Sequence, residues 1–173
     1  MQETAQQYTQ RLLGHVEGKD PLRVQKETPN KLAALVRRLS KSQAARRPAP
    51  GKWSIIEILA HLADAELVIS WRLRQMLAAN GTPIQAYDQD VWAETFRYDH
   101  RDAKRSLETF RLLRQNNLDL LNSIPKDLWE NYGIHSERGK ETIAHTARMI
   151  AGHDLNHIRQ VEQIVKNGKS RTR

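Results

Sequence analysis

The chain contains no cysteine, which removes thiolate metal sites, catalytic thiols and disulfide staples and leaves histidine and carboxylate as the strong ligands available. Any thiol chemistry would need a thiol from outside. Glycine and proline are sparse, 8 and 6 in 173 residues; they fall between periodic stretches and divide the chain into helical blocks rather than strands. No long apolar run is present. The opening "MQETAQQYTQ" is polar, so neither a secretory signal nor a membrane anchor is expected and the cytoplasm is the default location. No internal repeat or low-complexity segment breaks the pattern. A hydrophobic content of 39 % is enough for one core without staples, so a single domain over residues 1–173 is expected.

The net charge of +8 turns attention to nucleic acid. Half of it, however, sits in the last eight residues, "KNGKSRTR" (166–173), through Lys166, Lys169, Arg171 and Arg173. This reads as a flexible basic tail on a body of charge +4. No helix concentrates lysine and arginine on one face and no nucleic-acid motif is present, so a nucleic-acid partner is not expected.

Helical periods organise the rest. Tyr8, Leu12 and Val16 mark a short N-terminal helix within residues 1–20, broken by "GKDP". Thr28 and Pro29 read as an N-cap and first helical position, with Leu32, Leu35, Val36 and Leu39 as the stripe that follows. Ser54 and Glu57 form a capping box, with Trp53 before and Ile58 after as a hydrophobic staple. Ile58, Leu62, Ile69, Leu73 and Met76 continue that helix until Asn80 and Gly81 stop it. Residues 84–101 lack a clean period and predict a long crossing loop with a short helical turn. A third long helix carries Ala103, Leu107, Phe110, Leu113, Asn117 and Leu121 on one face, and Pro125 lies beyond its end. After the irregular "GIHSERGK", a last helix runs from about Thr142 to Lys166, striped by Ile143, Ala147, Ile150, Val161 and Ile164 and stopped by Asn167-Gly168. The class is all-α, and four long helices point to a four-helix bundle.

Seven histidines are present, and helical geometry sorts them. His153 and His157, four residues apart, project from one face about 40° apart, beside the apolar stripe. His61 flanks the apolar arc of its own helix. His145 lies roughly opposite the stripe and reads as solvent-facing. Three histidines can therefore meet at one seam: His61, His153 and His157. Three neutral imidazoles suit zinc, nickel, cobalt or ferrous iron and leave open positions for water or substrate. Asp64 and Asp154 are candidate acceptors for the far ring nitrogens; Asp64 reads equally as a surface carboxylate pairing with arginine. A bundle whose histidines fill a polar seam without metal stays open as the alternative.

"PGKWSIIEILAHLADAE" (50–66), "YDQDVWAE" (87–94), "SERG" (136–139) and "HDLNHIRQVEQI" (153–164) resemble, in order and spacing, the landmarks of the DinB-like superfamily, in particular the branch of bacillithiol S-transferases once described as metal-dependent hydrolases. The resemblance implies an up-down-down-up bundle topology, a divalent metal, zinc or nickel, held by His61, His153 and His157, and a homodimer. Where some members carry adjacent histidines near the last ligand, Asn156 precedes His157 here.

On this footing the expected function is a transferase joining a low-molecular-weight thiol to an electrophile, with the metal lowering the thiol pKa. Tyr87, Asp88, Trp92 and Glu137 would line the pocket mouth and handle the small-molecule substrate, or in the case of the two aromatics anchor the loop. Arg72, Arg74 and Arg148 offer positive charge. Two alternatives stand beside it: hydrolysis of an amide or ester at the same metal, and, from another class, a non-catalytic stress-associated binding protein suggested by the basic tail.

Overall fold

The computed structural model describes residues 3–170. Seven α-helices and one small sheet follow in the order α1 (Ala5–Val16), α2 (Pro21–Val36), α3 (Lys41–Ala45), α4 (Ile55–Ala78), β1 (Thr82–Ile84), α5 (Gln89–Thr95), α6 (Ala103–Ser123), β2 (Tyr132–His135), β3 (Gly139–Thr142) and α7 (Ile143–Ser170). Short 3-10 helices cover Tyr98–His100 and Lys126–Glu130. The four long helices α2, α4, α6 and α7 form the bundle, with α4 packed along α6 and α2 along α7.

Pairings give the direction of each helix. Gln25 Nε2 donates to the Ala147 carbonyl, while further along both helices Leu32 shares a cluster with Ile158 and Val161, so α2 and α7 run parallel. β1 follows α4, β2 follows α6, and the two strands pair in parallel. Both of those helices therefore end at the sheet, and α7, leaving from β3, runs back against them. The topology is up-down-down-up.

Local chemistry explains the helix starts. At α4, Ser54 Oγ accepts from the Glu57 amide at 3.3 Å and the Ser54 amide donates to Glu57 Oε2 at 2.8 Å, closing the expected capping box. Residues 55–63 of α4 are buried without interruption, as a helix covered on every side must be. The α2 start differs from expectation. Asp20 caps it, accepting from the Leu22 and Arg23 amides, and Pro21 takes the first position. Pro29 therefore lies inside the helix, where it denies the Gln25 carbonyl its usual donor. Arg114 Nη1 supplies that bond instead, at 3.1 Å.

Three further expectations are corrected. The crossing region carries its short helical turn as α5 and is preceded by β1, while "GIHSERGK", expected to be irregular, is a hairpin pairing Tyr132–His135 with Gly139–Thr142, which adds a small sheet to the helical bundle. These strands are three or four residues long, too short for a period to show. Helix α7 also passes through Asn167 and Gly168 to Ser170; Arg171 and Arg173 of the basic tail lie outside the described residues. Finally, His145 is half-buried, 4.0 Å from Glu141, rather than solvent-facing.

The core has two apolar parts. Leu32, Ile55, Ile58, Leu59, Phe110 and Val161 build one end, and Ile69, Leu73, Met76, Ile84, Leu121 and Ile143 build the sheet end. Between them lies a buried polar layer: Gln25 and Thr28 on α2, His61 and Glu66 on α4, Arg114 and Asn117 on α6, and His153, Asp154 and His157 on α7.

Candidate metal centre

Within that layer the structure brings together His61, His153 and His157, whose ligand atoms lie within 4.8 Å of one another. His153 Nε2 stands 3.0 Å from His61 Nε2 and 3.1 Å from His157 Nε2. All three rings are buried, at 1, 8 and 6 % exposure. Burial holds the pKa of each below the usual histidine range. For His61 and His153 the drop is large, deepened by the neighbouring His157; for His157 it is to about 4, with Gln160 pulling the other way. Three neutral rings thus direct one nitrogen each at a common point.

The donor set fits a transition metal better than it fits itself. A neutral ring nitrogen either carries a proton or offers a lone pair, and alternating the two around three mutually close nitrogens satisfies them imperfectly. A tetrahedral ion with bonds of about 2.0–2.1 Å would place its ligand nitrogens about 3.3 Å apart and use every lone pair. The opposite nitrogens are unequally served. His157 Nδ1 lies 2.8 Å from Gln160 Oε1, whereas His61 Nδ1 is the buried side-chain polar atom without a partner among the described residues. Trp53 packs on the His61 ring, with centroids 4.9 Å apart.

The two carboxylates expected to serve the rings are used elsewhere. Asp64 accepts from the Tyr98 hydroxyl at 2.8 Å. Asp154, wholly buried, pairs with Arg114; burial raises its pKa while the guanidinium opposes the rise. The acceptor actually present at the triad, Gln160, was not anticipated, although its place three residues after His157 is the signal that could have found it.

A cavity of about 580 Å³ opens onto His61 and His153. Tyr87 and Glu137 line it, together with Arg72. Asp88 does not: its carboxylate caps α5, accepting from the Asp90 and Val91 amides. Trp92 packs on Tyr87, with ring centroids 4.5 Å apart, and lines a neighbouring groove of about 870 Å³ that Tyr87 and Arg72 share. Arg72 donates to the Gln85 carbonyl at 2.6 Å and lies over the Tyr87 ring, whose hydroxyl pKa burial pushes up to about 12. Arg74 is spent on Asn116 and Asn117, and Arg148 is exposed. Sequence reasoning missed Tyr8, Arg138 and Glu141, which also line the cavity. Arg138 and Glu141 are joined at 2.6 Å.

Helix α1 closes one wall. It lies so near α7 that a Cβ on Gly152 would stand 2.1 Å from the Leu12 carbonyl oxygen; only glycine permits that approach, one residue before His153. Arg11 reaches across to Asn156 Oδ1 at 2.9 Å.

A family model of the DinB superfamily matches residues 26–161. The chain is 24 % identical over 140 residues, 81 % of each chain, to the protein of Oceanobacillus iheyensis named "Putative metal-dependent hydrolase OB0782". It is 24 % identical to the similarly named YfiT of Bacillus subtilis, covering 83 % of this chain and 81 % of that one. The solved structure of YfiT, described as having an unusual four-helix bundle topology, superposes with a TM-score of 0.81 at 21 % identity over 86 % of both chains. No helix among the described residues is long and apolar enough to cross a membrane.

Proposed function

The chain belongs to the DinB superfamily, and from that premise we propose that it is a metal-dependent enzyme whose ion, zinc or nickel, is held by His61, His153 and His157. The observation that carries the reading is the meeting of three buried imidazoles, two of which, His61 and His153, line a cavity. A bound ion supplies Lewis acidity, lowering the pKa of a thiol or water at its open position.

Transfer of a low-molecular-weight thiol to an electrophile suits the surrounding residues best. Hydrolysis calls for a base near the attacking water; Asp64 is committed to Tyr98 and Asp154 to Arg114, and Glu137, which lines the cavity, stands exposed to solvent. Glu141 is held by Arg138. An incoming thiol needs no such base once its proton is lost to solvent, and the chain has no cysteine to compete for the ion. Arg72 and Tyr87 orient the substrate from the wall, and the cavity's apolar residues exclude water. Hydrolysis is the second reading, favoured by the names of the relatives. A cytoplasmic homodimer acting on a small molecule completes the proposal.

Elemental analysis of tag-free protein beside the His61/His153/His157 triple alanine variant tests the centre. About one transition metal per chain in the parent and none in the variant is expected; none in either, after dialysis against zinc and nickel, overturns it. Product formation from an electrophile with and without added thiol then separates transfer from hydrolysis.

A further inference from the structure

The histidines come from α4 and α7, yet these two helices touch each other little; α4 packs on α6 and α7 on α1 and α2. The two helices share apolar clusters at either end of the bundle, but their direct contacts are few. The buried polar layer holds a second connection. From α6, Arg114, 2 % exposed, donates Nε and Nη2 to the two oxygens of Glu66 at 2.9 and 2.8 Å. It donates Nη1 and Nη2 to the two oxygens of Asp154 at 2.5 and 3.0 Å, and Nη1 also to the Gln25 carbonyl. One planar guanidinium thus grips a side chain of α4, a side chain of α7 and the backbone of α2 in fixed directions. Glu66 stands five residues after His61 on α4, and Asp154 directly follows His153 on α7.

We propose that Arg114 is the positioning residue of the metal centre: by clamping Glu66 and Asp154 together it sets the register of α4 against α7 in which His61 meets His153 and His157. The proposal rests on the metal reading of those histidines. Stability alone explains the clamp poorly, because a buried ion network is often replaced by neutral groups without loss. What neutral groups do not reproduce is a bidentate grip on two helices at once. Groups that orient metal ligands from behind, when changed, weaken metal binding about 10–100-fold.

The test compares the parent with Arg114→Met/Glu66→Gln/Asp154→Asn, which removes all three charges and leaves Asn117 an acceptor at position 66. Arg114→Lys, which keeps a charge but not the planar fork, is the second variant should the first fold poorly. Zinc affinity is measured by chelator competition and ligand geometry by the cobalt(II) visible spectrum. Register is read without metal from the distance distribution between spin labels at Leu67→Cys and Gln163→Cys, exposed positions on α4 and α7 in a chain with no other cysteine. Folded variants are expected to bind zinc about 10–100-fold more weakly, with an altered cobalt spectrum and a broadened distance distribution. Retained affinity overturns the proposal. So does lost affinity with an unchanged distance distribution, which would place the effect on the ligands rather than on register. A parent that takes up no metal overturns the metal reading instead, and the spin-label distances then decide the register claim alone: broadening upholds it and identity refutes it.

Discussion

Two polar clusters share the middle of this bundle, and they are finished to different degrees. Around Arg114 every guanidinium N–H has an acceptor, drawn from three neighbouring helices. Around His153 three ring nitrogens crowd together and one far nitrogen, on His61, has no partner among the described residues. Unsatisfied buried polar groups cost about 1–3 kcal/mol each, so a fold that completes one cluster and leaves its neighbour wanting has kept the second for something else. The complete cluster is architecture; the incomplete one is the place to look for a ligand.

Breaking the complete cluster should cost most. Arg114→Met alone leaves Glu66 and Asp154 buried without their cation, and a loss of about 3–5 kcal/mol is expected in urea unfolding of the metal-free protein. His61→Leu under the same conditions should leave stability unchanged or raised, since it removes an unpartnered nitrogen. Equal losses from the two changes would erase the contrast. Supplying the incomplete cluster comes next: zinc at 1,000 times its dissociation constant should stabilise the parent by about 4 kcal/mol, a rise in Tm on the order of 10 °C. EDTA should reverse the rise, and the triple alanine variant should show none. A smaller effect is expected from Gly152→Ala, which drives a methyl group into the Leu12 backbone and should cost about 1–3 kcal/mol. By shifting α1 it should also weaken substrate binding while zinc content holds.

The smallest test lies outside both clusters, at the start of α4. Burial alone would raise the Glu57 pKa, but Arg47 and the Ser54 cap overcome it and hold the carboxyl below its ordinary 4.5. Its contribution is therefore present above about pH 4.5 and lost as pH falls through the lower folded value. Glu57→Gln should cost about 1 kcal/mol at pH 7 and less at pH 3, measured by denaturation at both.

The capping box of α4, the stripes of α6 and α7 and the His61/His153/His157 convergence were legible because each rests on spacing along one helix, where geometry is fixed by the backbone. What escaped depends on partners distant in sequence. Pro29 looked like a helix start because proline suits that position; Asp20 and Pro21 offered the same signal eight residues earlier, and an interior proline became tolerable only through Arg114. Arg114, four residues after Phe110 and three before Asn117, lies on the face those residues mark, and it escaped because an arginine on a helix is ordinarily solvated. Asp64 and Asp154 were correctly placed near the histidines in sequence, but Tyr98 and Arg114, 34 and 40 residues away, claimed their oxygens. The hairpin at 132–142 was unreadable for want of length.

The bond from Arg114 to the Gln25 carbonyl also bears on how the protein folds. Helix α2 carries an interruption at its centre that its own backbone cannot mend, so as an isolated peptide it should be broken around residues 25–29. Its middle turn becomes whole only when α6 arrives with the guanidinium. Secondary structure in α2 and docking of α6 are then a single cooperative event, and amide exchange in the two helices should rise together as the protein opens.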